Sequence, residues 1–305
     1  MCLPLRLTSL ADIMQNAQNP ARGILLMILA ISAFTLLDAS AKGLIQRYSA
    51  PQVVWVRFLG QLLIVALILR ARTPAMMRTQ YPRLHLMRAF FQVTTAALFF
   101  SSLNHIGLAE ATALTDTSPV LVTLGAALFL GERLGPRRLI GIGVALTGAV
   151  IILRPGAGVF TWWALLPLAA AVSFAANSIL TRRIGQYEPV WTAMLWGGLF
   201  GTVAFGLALP AVWKPIEMAD LPLFVFVGMI GTLGQVLMIR SLSIAEAGLV
   251  APFSYIGVVL ATLWGALFFN EYPDFWTVVG TIVIVCAGLY VWHRETRHRA
   301  GSAAP

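Results

Sequence analysis

Two carboxylates, Asp38 and Asp116, and two guanidinium groups, Arg57 and Arg88, stand inside long apolar stretches of this 305-residue chain. A charge held near the centre of a bilayer costs at least about 2.5–3.5 kcal/mol, so each such group is paired, hydrated or in use. Asp38 has Lys42 four residues on, hence on the same helical face. It is either half of a local ion pair or a group that meets a solute cation or exchanges a proton. Asp116 has no basic residue within four positions and is followed by Pro119, which lacks a backbone donor and frees carbonyl groups. That combination suits a solute or proton site, with a cross-bundle ion pair to Arg57 or Arg88 as the alternative. Arg57 and Arg88 could each attract an anionic group or snorkel to the interface. Arg88, close to the end of its apolar stretch, reads better as an anchor that snorkels to the interface. Gln92, Asn177, Gln235 and Tyr255 add an uncharged polar lining, or else bond neighbouring helices. Pro119 and Pro252 mark expected helix breaks. Phe253, Tyr255 and Trp264 either stack on a planar solute or pack the bundle. Glu110, Glu132, Glu246 and Glu271 recur at helix ends, where capping or loop contacts account for them.

Covalent and metal chemistry find little support. There is no HExxH or CxxC pattern, and His85, His105, His293 and His298 show no ligand spacing; an interfacial or solvated role is expected for them. Cys2 and Cys286 share no short spacing, and no disulfide is expected. Gly141-Ile142-Gly143 lacks the preceding strand and following acid of a nucleotide fingerprint, and reads with Ala145 and Ala149 as close helix packing. No catalytic residue, metal or cofactor is therefore expected, and no nucleotide-hydrolysing motif is present to drive work directly.

The elements that must hold these residues follow from hydropathy. A helix needs roughly 20 mainly apolar residues to cross a hydrocarbon core about 30 Å thick. Ten stretches qualify, near 23–46, 51–69, 84–104, 110–130, 138–153, 162–182, 189–210, 221–241, 247–269 and 275–292. The chain is 59% hydrophobic and only 11% charged, too little charge to cover a soluble domain of this size. Its apolar runs are continuous rather than alternating, which argues against strands.

The net charge of +9 is spread between the spans, not gathered for nucleic acid. Lys and Arg fall mostly on one side: Arg6, Arg22, Arg70 to Arg88, Arg133, Arg137, Arg138, Arg182, Arg183, Arg240 and the Arg294 to Arg299 tail. Only Lys42, Arg47, Arg154 and Lys214 fall on the other. The positive-inside rule then puts both termini in the cytoplasm. The first 22 residues lack the uninterrupted apolar run of a signal peptide, and Met14 is an alternative start to Met1.

The sequence repeats itself. AALFLGE ending at Glu132 returns as GALFFNE ending at Glu271, and each glutamate is followed nine residues later by a glycine, Gly141 and Gly280. Leu108-Ala109-Glu110-Ala111 echoes Ile244-Ala245-Glu246-Ala247, and the helix around Phe34 echoes that around Phe174, setting Lys42 against Arg182 and Asp38 against Ser178. Five spans per half is odd, so equivalent helices run in opposite directions across the membrane. The expected fold is an all-α integral membrane protein with ten transmembrane helices as two inverted five-helix repeats. The boundaries are a segment 1–21, repeats 22–156 and 157–293, and a basic tail 294–305.

With this layout, the run SPVLVTLGAALFLGE from Ser118, the GPRRLIGIGVALTGAVIIL that follows it and the repeat at Ala245 to Gly280 resemble the EamA family of the drug/metabolite transporter superfamily. The pattern around Asp38 to Lys42 and Pro51 to Gly60 resembles, more weakly, the riboflavin and S-adenosylmethionine importer subgroup. The resemblance implies a bacterial inner-membrane secondary transporter of a small organic solute, by uptake of a cofactor-like metabolite or export of amino acids, metabolites or toxic compounds. Substrate-binding or translocation residues would be Asp38, Arg57, Gln92, Asp116, Asn177, Gln235 and Tyr255. The partners are the solute and the lipid bilayer, with no nucleic acid. The Gly197 to Gly201 spacing is compatible with a homodimer and equally with packing inside the bundle.

Overall fold

The computed structural model describes residues 20–130, 136–154, 161–185, 187–245 and 250–302. Glu132, Glu246, Cys2 and Met14 lie outside them. Among the described residues the chain makes ten helical passes. They are α1 (Pro20–Ile45), α2 (Ala50–Leu69), α3 (Pro82–Ser102), α4 in two pieces (Leu108–Thr115 and Ser118–Leu130) and α5 (Pro136–Leu153), then α6 (Leu165–Ile184), α7 (Val190–Gly206), α8 (Leu221–Ile244), α9 (Ile256–Phe269) and α10 (Phe275–Ser302). Four helical stretches, Ala21–Ile45, Ala50–Met77, Trp162–Ile184 and Leu221–Ile244, are each long and apolar enough to cross a membrane, and the shorter apolar helices pack around them. Leu67, Val259, Leu267 and Phe268 point outward, as a lipid-facing surface requires.

Two passes are not continuous α-helix. α4 is interrupted at Asp116–Thr117 because the ring of Pro119 would collide with the carbonyl of Thr115, four residues back. The entry to α9 is a 3-10 turn, Ala251–Tyr255, that contains Pro252.

Packing obeys the inverted repeat. α1 lies on α8 as α6 lies on α3; α1 meets α9 as α6 meets α4; and α2 meets α8 as α7 meets α3. The pairs α2–α7, α4–α9 and α5–α10 join equivalent helices across the pseudo-two-fold axis. Every one of these contacts crosses between halves, so the two repeats interlock.

Small residues let the helices approach. A Cβ on Gly60 would lie 2.8 Å from Gly228 Cα, bringing α2 and α8 into backbone contact. Gly141, Ala145 and Ala149 are all buried on α5, as their spacing suggests. The Gly197–Gly201 face of α7 is filled from within: Gly197 meets Gln92 and Arg88, Gly198 meets Leu62, and Gly201 meets the Phe58 ring. That face is therefore not available to a second copy of the chain.

Polar straps tie the ends, and they too are related by the repeat. In the α1–α2 connection Tyr48 Oη donates to Asp220 Oδ2 at 2.8 Å, and Arg47 pairs with Asp220 Oδ1 at 2.7 Å, at the start of α8. In the α6–α7 connection Glu188 accepts from Gln80 N at 3.0 Å and from Thr79 Oγ1, and pairs with His85 Nε2 at 2.7 Å, at the start of α3. Burial tends to raise the Glu188 carboxyl, but hydrogen bonds from Thr79, His85 and Gln80 outweigh it and hold the group below its ordinary value. His85 is accordingly buried and bonded, not interfacial.

The face away from the termini carries a further pair. Lys42 Nζ meets Glu271 Oε1 at 2.6 Å and donates to Ile106 O at 3.2 Å, while Glu271 Oε2 accepts from Leu108 N at 3.1 Å. One carboxylate thus joins the ends of α1 and α9 to the start of α4. Lys42 is engaged there rather than with Asp38. Arg154 and Asp274 form another pair between α5 and α10 on the same face.

The interlocked glycines give a direct test. A side chain at position 280 would meet Ile152 Cγ1 at 2.5 Å and Gly148 O at 2.6 Å, whereas a Cβ at Gly143 meets nothing within 4 Å. Gly280→Val is expected to cost about 1–3 kcal/mol by overpacking, seen as a fall of several degrees in the detergent unfolding temperature. Gly143→Ala should leave it unchanged. Equal behaviour of the two variants would contradict the α5–α10 contact.

Candidate functional site

A cavity of about 220 Å³ lies between the halves. Its walls come from α1, α2, α3 and α4 of the first repeat and α6, α8 and α9 of the second. On α1 they run from Met27 to Asp38, on α6 from Phe174 to Thr181, on α8 from Gln235 to Leu242, and at the α9 entry from Val250 to Gly257. On α6, α8 and α9 these are the portions nearer the termini, whereas on α1 the stretch is central and on α3 the wall runs from Gln92 to Phe100, in the half away from the termini. The cavity thus spans the middle of the bundle, and Lys42 and Glu271 lie beyond it on the face away from the termini.

Six of the seven polar candidates meet here: Asp38, Arg57, Gln92, Asp116, Asn177 and Gln235. Pro119 joins them, and so does Ser178, the residue set against Asp38 by the repeat. Tyr255 does not line the cavity. Its side chain is buried against α10, where a Cβ on Gly288 would overlap the hydroxyl. Pro252 acts at one remove, in the 3-10 turn that carries Ser254 to the wall. The aromatic wall is formed by Phe34, Phe99, Phe100 and Phe174 rather than by the α9 aromatics. Trp264 instead stacks on Phe268 and donates from Nε1 to Thr35 Oγ1 at 3.3 Å.

Four polar atoms around this cavity are buried with no hydrogen-bond partner among the described residues: Arg57 Nε, Gln92 Nε2, Asp116 Oδ2 and Asn177 Oδ1. Each such atom costs about 1–3 kcal/mol if left dry. Buried polar groups are mostly satisfied in folded proteins, and four of the nine such unpartnered atoms among the described residues sit on this one cavity, where a solute could meet them. They include donors and acceptors, and they surround aromatic faces.

The charges are arranged unequally. Asp38 and Arg57 share the wall and attract one another without closing an ion pair. The Arg57 guanidinium lies 5.4 Å from the Phe58 ring centroid and 5.7 Å from that of Phe100, a setting that holds a cation by its attraction to aromatic faces. Asp116, in the break of α4, pairs with neither Arg57 nor Arg88. Its Oδ2 is left open because α9 offers a glycine opposite it: a Cβ on Gly257 would stand 3.9 Å from that oxygen.

Arg88 is the residue whose role the sequence obscures. It is not a snorkelling anchor but is 1% exposed, behind the wall formed by Gln92 and Thr181. Depth along a helix says nothing about which face a residue occupies. The available signal was Gln92 one turn on, together with the glycine spacing of α7 that makes room for both side chains.

An interlocked inverted-repeat bundle around a midplane cavity of unsatisfied polar groups is the architecture of a secondary carrier. The chain belongs to the EamA-like transporter family, whose model matches residues 21–154 and again 161–292. It is 33% identical to the riboflavin transporter of Rhizobium johnstonii over 92% of this chain and 95% of that one. It is 32% identical to the pseudopaline exporter CntI of Pseudomonas aeruginosa, covering 87% and 94%, and 24% identical to an S-adenosylmethionine uptake transporter of Rickettsia bellii, covering 90% and 94%. A solved crystal structure superposes with a TM-score of 0.64 at 22% identity, covering 91% of this chain and 98% of that one, and shares the fold. The protein is a multi-pass membrane transporter of a small metabolite, not an enzyme.

Asp116 separates function from stability. Asp116→Asn replaces a buried carboxyl that no cation offsets with a neutral amide of the same shape, so the unfolding temperature in detergent should be at or above that of the parent. Solute uptake in proteoliposomes should fall at least about tenfold, the effect of losing roughly 1.4 kcal/mol of binding. Unchanged uptake and pH profile would remove Asp116 from the site.

Proposed function

We propose that this carrier takes up a flavin-type metabolite across the bacterial inner membrane, with both termini in the cytoplasm. The observation that carries the reading is the cluster of four unsatisfied polar atoms on one aromatic-walled cavity. A planar heterocycle edged with carbonyl and N–H groups would pair those atoms and stack on the phenylalanines. The 33% identity to a riboflavin transporter over nearly the full length of both chains supports it.

Transport would proceed by exchange of the two halves' conformations. In this reading Lys42, Glu271 and the backbone they hold close the outer face, leaving access from the cytoplasm. The Lys42 side chain is 5% exposed and the Glu271 carboxylate 36%, so water reaches the pair from one side only. Opening this face during a cycle would expose Lys42 and Glu271 to water, which can replace their contacts.

A second reading, export of a charged metabolite, draws on Asp38, Arg57 and Asp116 in one cavity and on the 32% identity to an exporter. Binding separates the two. The purified protein is unfolded thermally in detergent with riboflavin, S-adenosylmethionine, amino acids and toxic organic cations. A solute at 100 times its dissociation constant adds about 2.7 kcal/mol to the folded state. Stabilisation by riboflavin, followed by saturable riboflavin accumulation in proteoliposomes, is the expected outcome. Stabilisation only by amino acids or cations would overturn the flavin reading in favour of export.

A further inference from the structure

Arg88 forms no ion pair among the described residues; its donors go to neutral oxygens. Nε donates to Thr181 Oγ1 at 2.8 Å, and Nη1 donates to Ala193 O at 3.0 Å and to Gln92 Oε1 at 3.2 Å, while Nη2 has no partner. A guanidinium can only donate, so Gln92 must turn its carbonyl oxygen to Arg88 and its amide nitrogen away. That nitrogen is one of the four unpartnered atoms, and Gln92 belongs to the cavity wall. α7 leaves room for this arrangement, since a Cβ on Gly197 would stand 2.5 Å from Gln92 Oε1 and 3.5 Å from Arg88 Nη1. Thr181 is committed in the same way, accepting from Arg88 and donating to Asn177 O at 2.7 Å.

We infer that Arg88 is a positioning residue that locks Gln92 as a hydrogen-bond donor to a carbonyl or carboxylate oxygen of the solute. The same buried cation, uncompensated one side chain behind the wall, adds a positive potential that favours that oxygen. Asp116, on α4, supplies the opposite preference for an N–H or cationic group. The solute is thereby oriented, with its oxygen edge toward α3 and its donor edge toward α4. The inference rests on the cavity being the solute site and gives that site its polarity.

The test exploits the missing carboxylate. Gln92→Glu hands Arg88 an acidic partner and removes the amide donor, so the variant should unfold at or above the parent temperature while KM for the carried solute rises about tenfold or more. Gln92→Leu should unfold below the parent. Arg88→Met should also raise KM more than it lowers kcat, with no rescue by Arg88→Lys, because an ammonium cannot reproduce the guanidinium fork. Uptake is measured in proteoliposomes with riboflavin, S-adenosylmethionine and histidine as probes. A parent-like KM in Gln92→Glu, or an unfolding temperature well below the parent, would overturn the inference. If the parent carries none of the three probes, the flavin reading fails. The inference then stands on unfolding alone, supported by Gln92→Glu at or above the parent with Gln92→Leu below it, and overturned by Gln92→Glu below the parent.

Discussion

A polar group inside a bilayer must find a partner within the protein, and nearly every feature of this bundle follows from how that demand is met or deliberately left unmet. Toward the faces it is met by pairs that also fasten the halves together: Arg47 with Asp220, His85 with Glu188, Lys42 with Glu271. Deeper in the bundle it is left unmet at Arg57, Gln92, Asp116 and Asn177 on one cavity, and also at Arg88 and Tyr255 outside its wall. The stability forgone there is retained elsewhere by close helix packing at Gly60, Gly148, Gly228 and Gly280. A solute completes what the fold leaves open.

The repeat supplies the geometry, and departures from it supply the chemistry. Equivalent helices pack in equivalent ways, and the straps at the starts of α3 and α8 correspond, yet Asp38 faces Ser178 across the pseudo-two-fold. The break in α4 carries a carboxylate, whereas the 3-10 entry to α9 carries Ser254 to the wall. A symmetric scaffold can exchange two shapes of similar energy, while a lopsided cavity gives one solute a defined orientation. Both properties are required of a selective carrier.

The architecture was largely legible in the sequence because apolar length and the repeated Ala-Leu-Phe-Glu segments are one-dimensional signals. Asp38, Arg57 and Asp116 were legible as well, because a charge within an apolar run is conspicuous. Facing was not legible. Tyr255 is close in sequence to the wall yet turns toward Gly288, and Arg88, near a helix end, turns inward instead of toward the interface. Long-range partners were equally hidden: Lys42 passes over Asp38, four residues away, for Glu271, which the chain reaches only eight helices later. These choices depend on helix rotation and crossing, which hydropathy does not encode.

The central claim is a single cavity exposed to one face at a time. Ser178→Cys, made in a chain with Cys2 and Cys286 replaced, puts a thiol in the cavity wall. Its reaction with a membrane-impermeant maleimide is followed in sealed vesicles of each orientation, with and without Glu271→Gln. The account predicts labelling from the face bearing the termini in the parent, and new labelling from the opposite face once the Lys42 pair is weakened. Equal labelling from both faces in the parent would indicate an open pore and contradict it.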